Sequence, residues 1–151
     1  MVIFINPEIE DESISKTYYV KCINLDKKKY YKYLFLIAAL YNILNSVIFI
    51  GISIFGVGLF PLFGVAVPPS MIWLQLSLFL ILIFGIGYIY VSRDLEKNRG
   101  LVITGGLAKL TFFIIVLSYF ISGDVNILIV LLGGIDMIMV ILFIEFLIKN
   151  K

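Results

Sequence analysis

From position 33 to position 92 the chain contains no Asp, Glu, Lys or Arg. Soluble domains carry roughly a quarter of their residues as charges, so no water-facing surface can be drawn from such a stretch. Over the whole chain of 151 residues, 15% are charged and 62% hydrophobic. That balance makes lipid the solvent for most of the chain and is expected of one integral membrane domain.

A helix rises 1.5 Å per residue, so about 20 apolar residues cross the ~30 Å hydrocarbon layer. Four segments qualify: 33–55, 71–91, 101–121 and 126–148. The expected fold is therefore all-α, a bundle of four transmembrane helices over residues 31–151, preceded by a water-compatible segment, 1–30. Basic residues mark one side of the bundle. Lys27, Lys28, Lys29 and Lys32 precede the first span, Arg93, Lys97 and Arg99 lie between the second and third, and Lys149 and Lys151 follow the fourth. The connections on the other side, 56–70 and 122–125, carry only Asp124. The positive-inside rule then makes both termini cytoplasmic, with the plasma membrane as the expected location. Tyr30, Tyr31, Tyr33, Tyr88, Tyr90 and Trp73 are expected in the interfacial aromatic belts.

The absences narrow the chemistry. There is no His, and Cys22 is the one cysteine. This removes the near-neutral proton shuttle, paired-cysteine redox chemistry and any zinc site, which needs three or four N or S ligands. No two carboxylates are spaced for acid–base hydrolysis. An enzyme is the least favoured class, and no metal, cofactor or nucleic acid is expected.

Residues 1–5 are too short for a signal sequence, have no basic residue before them and stop at Asn6-Pro7, so they are not read as a cleaved leader. An acidic cluster (Glu8, Glu10, Asp11, Glu12) precedes TYYVKCINL, residues 17–25, which reads as a short strand or an interfacial piece. The whole segment is a solvated tail or, alternatively, a docking segment for a partner. The connection GVGLFPLFGVAVPPS, residues 56–70, is too apolar to be freely solvated. It is expected in the outer interface or as a short re-entrant element, with Gln75 as its hydrogen-bonding partner. Gly56, Gly58 and Gly64 fit no phosphate-binding pattern.

The informative residues are polar groups at membrane depth. Lys109 lies nine residues beyond Gly100, or about 13.5 Å along the helix, and Asp136 reaches the same depth in the fourth span. In the first span Asn42 and Asn45 are i, i+3 neighbours with Ser46 beside them, forming a polar patch at that level. A lone midplane charge costs about 2.5–3.5 kcal/mol on insertion scales, so Lys109 and Asp136 are expected to pair, with Asn42 or Asn45 hydrogen-bonded to them. Gly105, Gly133 and the Gly100, Thr104, Ala108 stripe are expected to let helix backbones approach. The pair reads equally as structural glue or as a site for a proton, an ion or a polar head group. Arg93 and Asp94 are expected at the inner interface, with Glu145 snorkelling there or paired to Arg93.

The run GYIYVSRDLEKNRGLVITGGLAKLTFFI (87–114) and the later GGIDMIMVILFIEFL (133–147) resemble the DoxX-like family of small four-helix membrane proteins. The resemblance rests on Arg93-Asp94 after the second span, Gly105 and Lys109 in the third, and Asp136 in the fourth. Leu95 stands where that family has proline, and Met137 where it has an aromatic residue. The resemblance implies a compact four-span bundle and an association with quinone-linked membrane redox systems. The function expected first is non-enzymatic: the polar layer of Lys109, Asp136, Asn42, Asn45 and Ser46 holds a lipid-like or quinone-like ligand, or docks in a membrane complex or homo-oligomer. The alternative is a small proton- or ion-coupled transporter or channel with Lys109 and Asp136 as the coupling pair.

Overall fold

A computed structural model describes the backbone of residues 12–150 and the side chains of residues 27–150. Its elements are α1 (Glu12–Phe55), a 3-10 helix η1 (Val57–Phe63), α2 (Ile72–Arg93), α3 (Arg99–Ile121) and α4 (Ile127–Lys149). No strand occurs among the described residues. All four α-helices are long and apolar enough to cross a membrane, the apolar part of α1 being Lys27–Phe55. With 22, 23 and 23 residues, α2, α3 and α4 are about 33–35 Å long, close to the ~30 Å of a hydrocarbon layer.

α1 is longer than its span requires. It has 44 residues, about 66 Å, because residues 17–25 continue the same helix and form neither a strand nor a separate interfacial piece. Each residue added to a helix already anchored by its apolar part gains a hydrogen bond without a new nucleation cost. No Gly or Pro interrupts the chain between Glu12 and Gly51. The expectations for residues 1–5 and for Glu8, Glu10 and Asp11 lie outside the described residues, as does the Cys22 side chain.

The turns draw the spans into two antiparallel hairpins, α1–α2 and α3–α4. α3 ends on Gly123 at φ 82, with the Gly123 and Asp124 N–H groups donating to the Phe120 and Tyr119 carbonyls at 3.0 and 2.9 Å. This paired pattern needs a left-handed residue after the helix, which glycine adopts without a Cβ penalty. Two residues later Asn126 caps α4, its Oδ1 accepting from the Leu128 N–H at 3.3 Å. Between α2 and α3, Asp94 Oδ1 accepts from the Lys97 N–H at 3.1 Å, and Asn98 Nδ2 donates to the carbonyls of Tyr90 and Asp94. The 56–70 connection folds as η1 against the far ends of α1 and α4. Phe63 packs on Phe49 with ring centroids 5.4 Å apart. Gly64 (φ 69) lies so near Asn126 that a Cβ there would come within 2.6 Å of the Asn126 Cβ. Gln75 does not serve this connection: its Nε2 donates to Ser53 Oγ of α1 at 3.2 Å.

The exterior is apolar, and several polar side chains are buried among the apolar ones of the core, unlike a water-soluble protein, whose surface is charged. Ile83, Ile138 and Ile148 are exposed, whereas Asn42, Ser46, Ser53, Ser92 and Lys109 are buried. At the basic end the two hairpins are joined by an aromatic plug of Tyr31, Phe35, Tyr88, Phe143 and Phe146, with neighbouring ring centroids 5.0–6.4 Å apart. Two residues expected in the aromatic belts, Tyr31 and Tyr88, are thus core residues, while Tyr30, Tyr33, Tyr90 and Trp73 are exposed. Inside the first hairpin the closest approach is at Gly85. A Cβ there would lie 2.8 Å from Ile43 Cγ1 and 3.2 Å from both the Ala39 carbonyl and the Asn42 Cβ.

Gly85→Ala is therefore expected to destabilise the bundle by about 1–3 kcal/mol, since backbone has to move to admit one methyl group. Gly51→Ala, where nothing lies within 4 Å of the new Cβ, should be neutral or stabilising by about 0.5–1 kcal/mol through helix propensity. Reversible unfolding of both variants in detergent, followed by far-UV circular dichroism, checks the contrast.

Candidate functional site

The site is built where three helices bring their polar residues to one level. α3 supplies Lys109, whose ammonium makes an ion pair with Asp136 Oδ1 of α4 and donates to Asn42 Oδ1 of α1 at 2.9 Å. Two aromatic rings flank the cation, with Tyr41 and Tyr88 centroids 5.5 and 5.9 Å from Nζ. Lys109 is 6% exposed. A buried ammonium of this kind needs its donors satisfied, and the arrangement provides two oxygen acceptors and two π faces.

The local causes can be traced in the sequence. Lys109 and Asp136 meet because the short Gly123 turn makes α3 and α4 antiparallel neighbours. Asn42 is brought inward because Gly85 lets α2 press against α1 at that residue. Tyr41 adds a link between α1 and α4, its hydroxyl donating to the Leu132 carbonyl at 3.1 Å. Of the two asparagines that fitted the pair, Asn42 takes the position. Asn45 is half-buried and lines the adjoining cavity. The Ser46 hydroxyl is committed to its own helix, donating to the Asn42 carbonyl at 2.8 Å.

Tyr88 belongs to this site, and sequence reasoning missed it. Its ring lies in the aromatic plug against Phe35 and Phe143 and over Gly105, where any Cβ would collide with the Tyr88 hydroxyl. Gly105 thus makes room for a side chain of α2 and does not serve a backbone approach by α4. The Tyr88 oxygen is buried with no hydrogen-bond partner among the described residues. A tyrosine five residues from the exposed Arg93 looks interfacial by spacing alone. The available signal was the Gly105–Lys109 i, i+4 relation, which leaves space for a ring beside the lysine.

Beside this layer lies a cavity of ≈ 250 Å³. Its polar part is Asn42, Asn45, Tyr88, Lys109 and Asp136. Its walls are apolar and rise away from the plug along Phe49, Leu74, Leu78, Ile81, Phe112, Ile129 and Leu132. From Asn42 to Phe49, or Asp136 to Ile129, is seven residues, about 10 Å of helix.

The residues expected as inner-interface ion pairs are arranged differently. Glu145 is paired within its own helix, Lys149 Nζ reaching Glu145 Oε1 at 2.8 Å in an i, i+4 contact. The Arg93 guanidinium lies 5.9 Å from the Tyr90 ring centroid, and Asp94 accepts from the turn backbone. An i, i+4 partner is closer at hand than one on another helix. Arg99 Nη2 donates to the Leu147 carbonyl at 3.0 Å, tying α3 to the carboxyl end of α4, where a cation is favoured. Gly100, Thr104 and Ala108 are exposed, Ala108 where it lines the cavity. Among the described residues no cluster of His, Cys, Asp or Glu is arranged to hold a metal.

Removing one partner of a buried pair strands the other, a loss of about 3–5 kcal/mol. Lys109→Ala alone should therefore unfold at lower denaturant than Lys109→Ala combined with Asp136→Ala, and a double-mutant cycle in detergent measures the difference. Comparison with known proteins gives no match to a family model, a curated protein or a solved structure.

Proposed function

We propose that this chain is an integral membrane protein of four spans, with both termini cytoplasmic, that holds the polar end of a lipid-like or quinone-like molecule at its midplane layer. The membrane reading is supported by the four long apolar helices and by the apolar exterior around buried polar groups. The orientation follows from the collection of Lys27, Lys28, Lys29, Lys32, Arg93, Lys97, Arg99 and Lys149 at one end. The observation that carries the binding reading is the cavity: apolar walls with its polar groups gathered beside Lys109, Asp136 and Asn42. Its ≈ 250 Å³ lies just below the ~300–1,000 Å³ usual for small-molecule sites.

The aromatic plug favours holding over conducting. Between the polar layer and the basic end Phe35, Val91, Val102, Phe143 and Phe146 are buried and apolar, and the buried Ser92 hydroxyl is committed to the Ile89 carbonyl of its own helix, so among the described residues no continuous row of polar groups leads an ion through this end. Docking in a larger membrane assembly is the second reading. It is favoured by the exposed small residues Gly100 and Thr104 of α3, since small residues are the usual contact face between helices in lipid.

Native mass spectrometry of protein extracted from its own membrane in mild detergent tests these readings together. A retained lipid-like molecule in stoichiometric amount is expected, and Leu78→Trp, which fills the cavity and leaves the polar layer intact, should abolish its retention at unchanged secondary structure. A stoichiometric partner chain with no small molecule would move the assignment to an accessory subunit. In a Cys22→Ala background, a thiol reporter at Lys97→Cys should be labelled only from the cytoplasmic side.

A further inference from the structure

We infer that the ligand's polar end is uncharged and presents a carbonyl oxygen to the Tyr88 hydroxyl, with a single hydrocarbon chain running between α2 and α4 away from the aromatic plug. This deepens the binding reading of the cavity and rests on it. Three observations select the chemistry.

The first is charge. Lys109 is already neutralised by Asp136, so the layer is net neutral. An anionic head would add an uncompensated charge at membrane depth, or would have to displace a carboxylate held in place by α4. Burying an uncompensated charge at that depth disfavours binding roughly a hundredfold.

The second is the donor count. The Tyr88 residue is 1% exposed, its hydroxyl has no partner, and it lines the cavity together with Lys109. A buried hydroxyl without a partner weakens the fold, and phenylalanine would fill the same plug position without that penalty. An ammonium has three donors, of which Asn42 and Asp136 occupy two. The Tyr88 hydroxyl is thus the donor to spare, beside an ammonium whose third N–H faces only the Tyr41 and Tyr88 rings, and the layer suits an acceptor with two lone pairs, such as a carbonyl oxygen. The third is size: ≈ 250 Å³ encloses a head group and the first part of one chain, the rest of which extends beyond the open end of the cavity, and leaves no room for the two chains of a phospholipid. The class is an uncharged single-chain lipid ending in an amide, ester, aldehyde or ketone.

The test uses the full chain in nanodiscs, with equilibrium binding of three radiolabelled probes of equal chain length after subtraction of empty discs. The probes are oleamide, oleate kept ionised at alkaline pH, and 1-octadecene. Oleamide is expected to bind at least tenfold tighter than either of the others. Tyr88→Phe should weaken oleamide about tenfold, as loss of one hydrogen bond does. It should leave octadecene unchanged and should not lower the thermal stability of the ligand-free protein. The infrared carbonyl band of ¹³C-labelled oleamide should move to higher frequency in Tyr88→Phe, a change that altered packing alone would not produce. Oleate binding as tightly as oleamide, or oleamide indifferent to Tyr88→Phe, overturns the inference and leaves the cavity reading standing. Failure of all three probes to bind overturns both.

Discussion

An ammonium placed among apolar helices must be neutralised and hydrogen-bonded where it sits, and much of this bundle can be understood from how Lys109 is accommodated. Asp136 is near because a tight glycine turn makes α3 and α4 antiparallel. Asn42 is near because a glycine on α2 lets α1 turn that residue inward. The ion pair alone would join two helices already joined by their turn. The Asn42 amide carries the network across to the other hairpin, and Tyr41 adds a second link through the Leu132 carbonyl. Helices in lipid gain little from hydrophobic burial, so packing and polar links of this kind decide how they associate.

The bundle is divided along its length. At the basic end five aromatic rings pack against one another, with neighbouring centroids 5.0–6.4 Å apart. At the far end the hairpins separate enough to leave a cavity. Tyr88 stands at the boundary, its ring part of the plug and its hydroxyl part of the polar layer. The cavity therefore has polar groups on the side of the plug and apolar walls away from it.

How far this was legible in the sequence depends on the kind of interaction. The four spans were readable because hydrocarbon thickness fixes the length of an apolar run: α2, α3 and α4 agree with the expected bounds within about two residues, and α1 agrees at its far end while starting well before its span. Lys109, Asp136 and Asn42 were readable because a charge or amide at membrane depth is costly and stands out from its surroundings. Residues 17–25 were misread because their aromatic and β-branched side chains look strand-like in isolation, whereas helix already formed after them carries them along. Tyr31 and Tyr88 were misread because proximity to basic residues says how deep a tyrosine lies and not which way it faces. In helices apolar on every side, no periodicity separates the lipid face from the core.

The sequence by itself therefore determined depth: which segments are long and apolar enough to span, which end is basic, and which polar groups share a level. Depth is a one-dimensional property, set by helix rise and by distance from the charged ends. Rotation about each helix axis was decided by tertiary structure alone. It turned Asn42 inward and left Asn45 at the cavity edge, gave Gly105 to the Tyr88 ring, left Gly100 and Thr104 exposed and paired Glu145 with Lys149. Those choices come from side chains interlocking across helices, and a uniformly apolar sequence holds no local record of them.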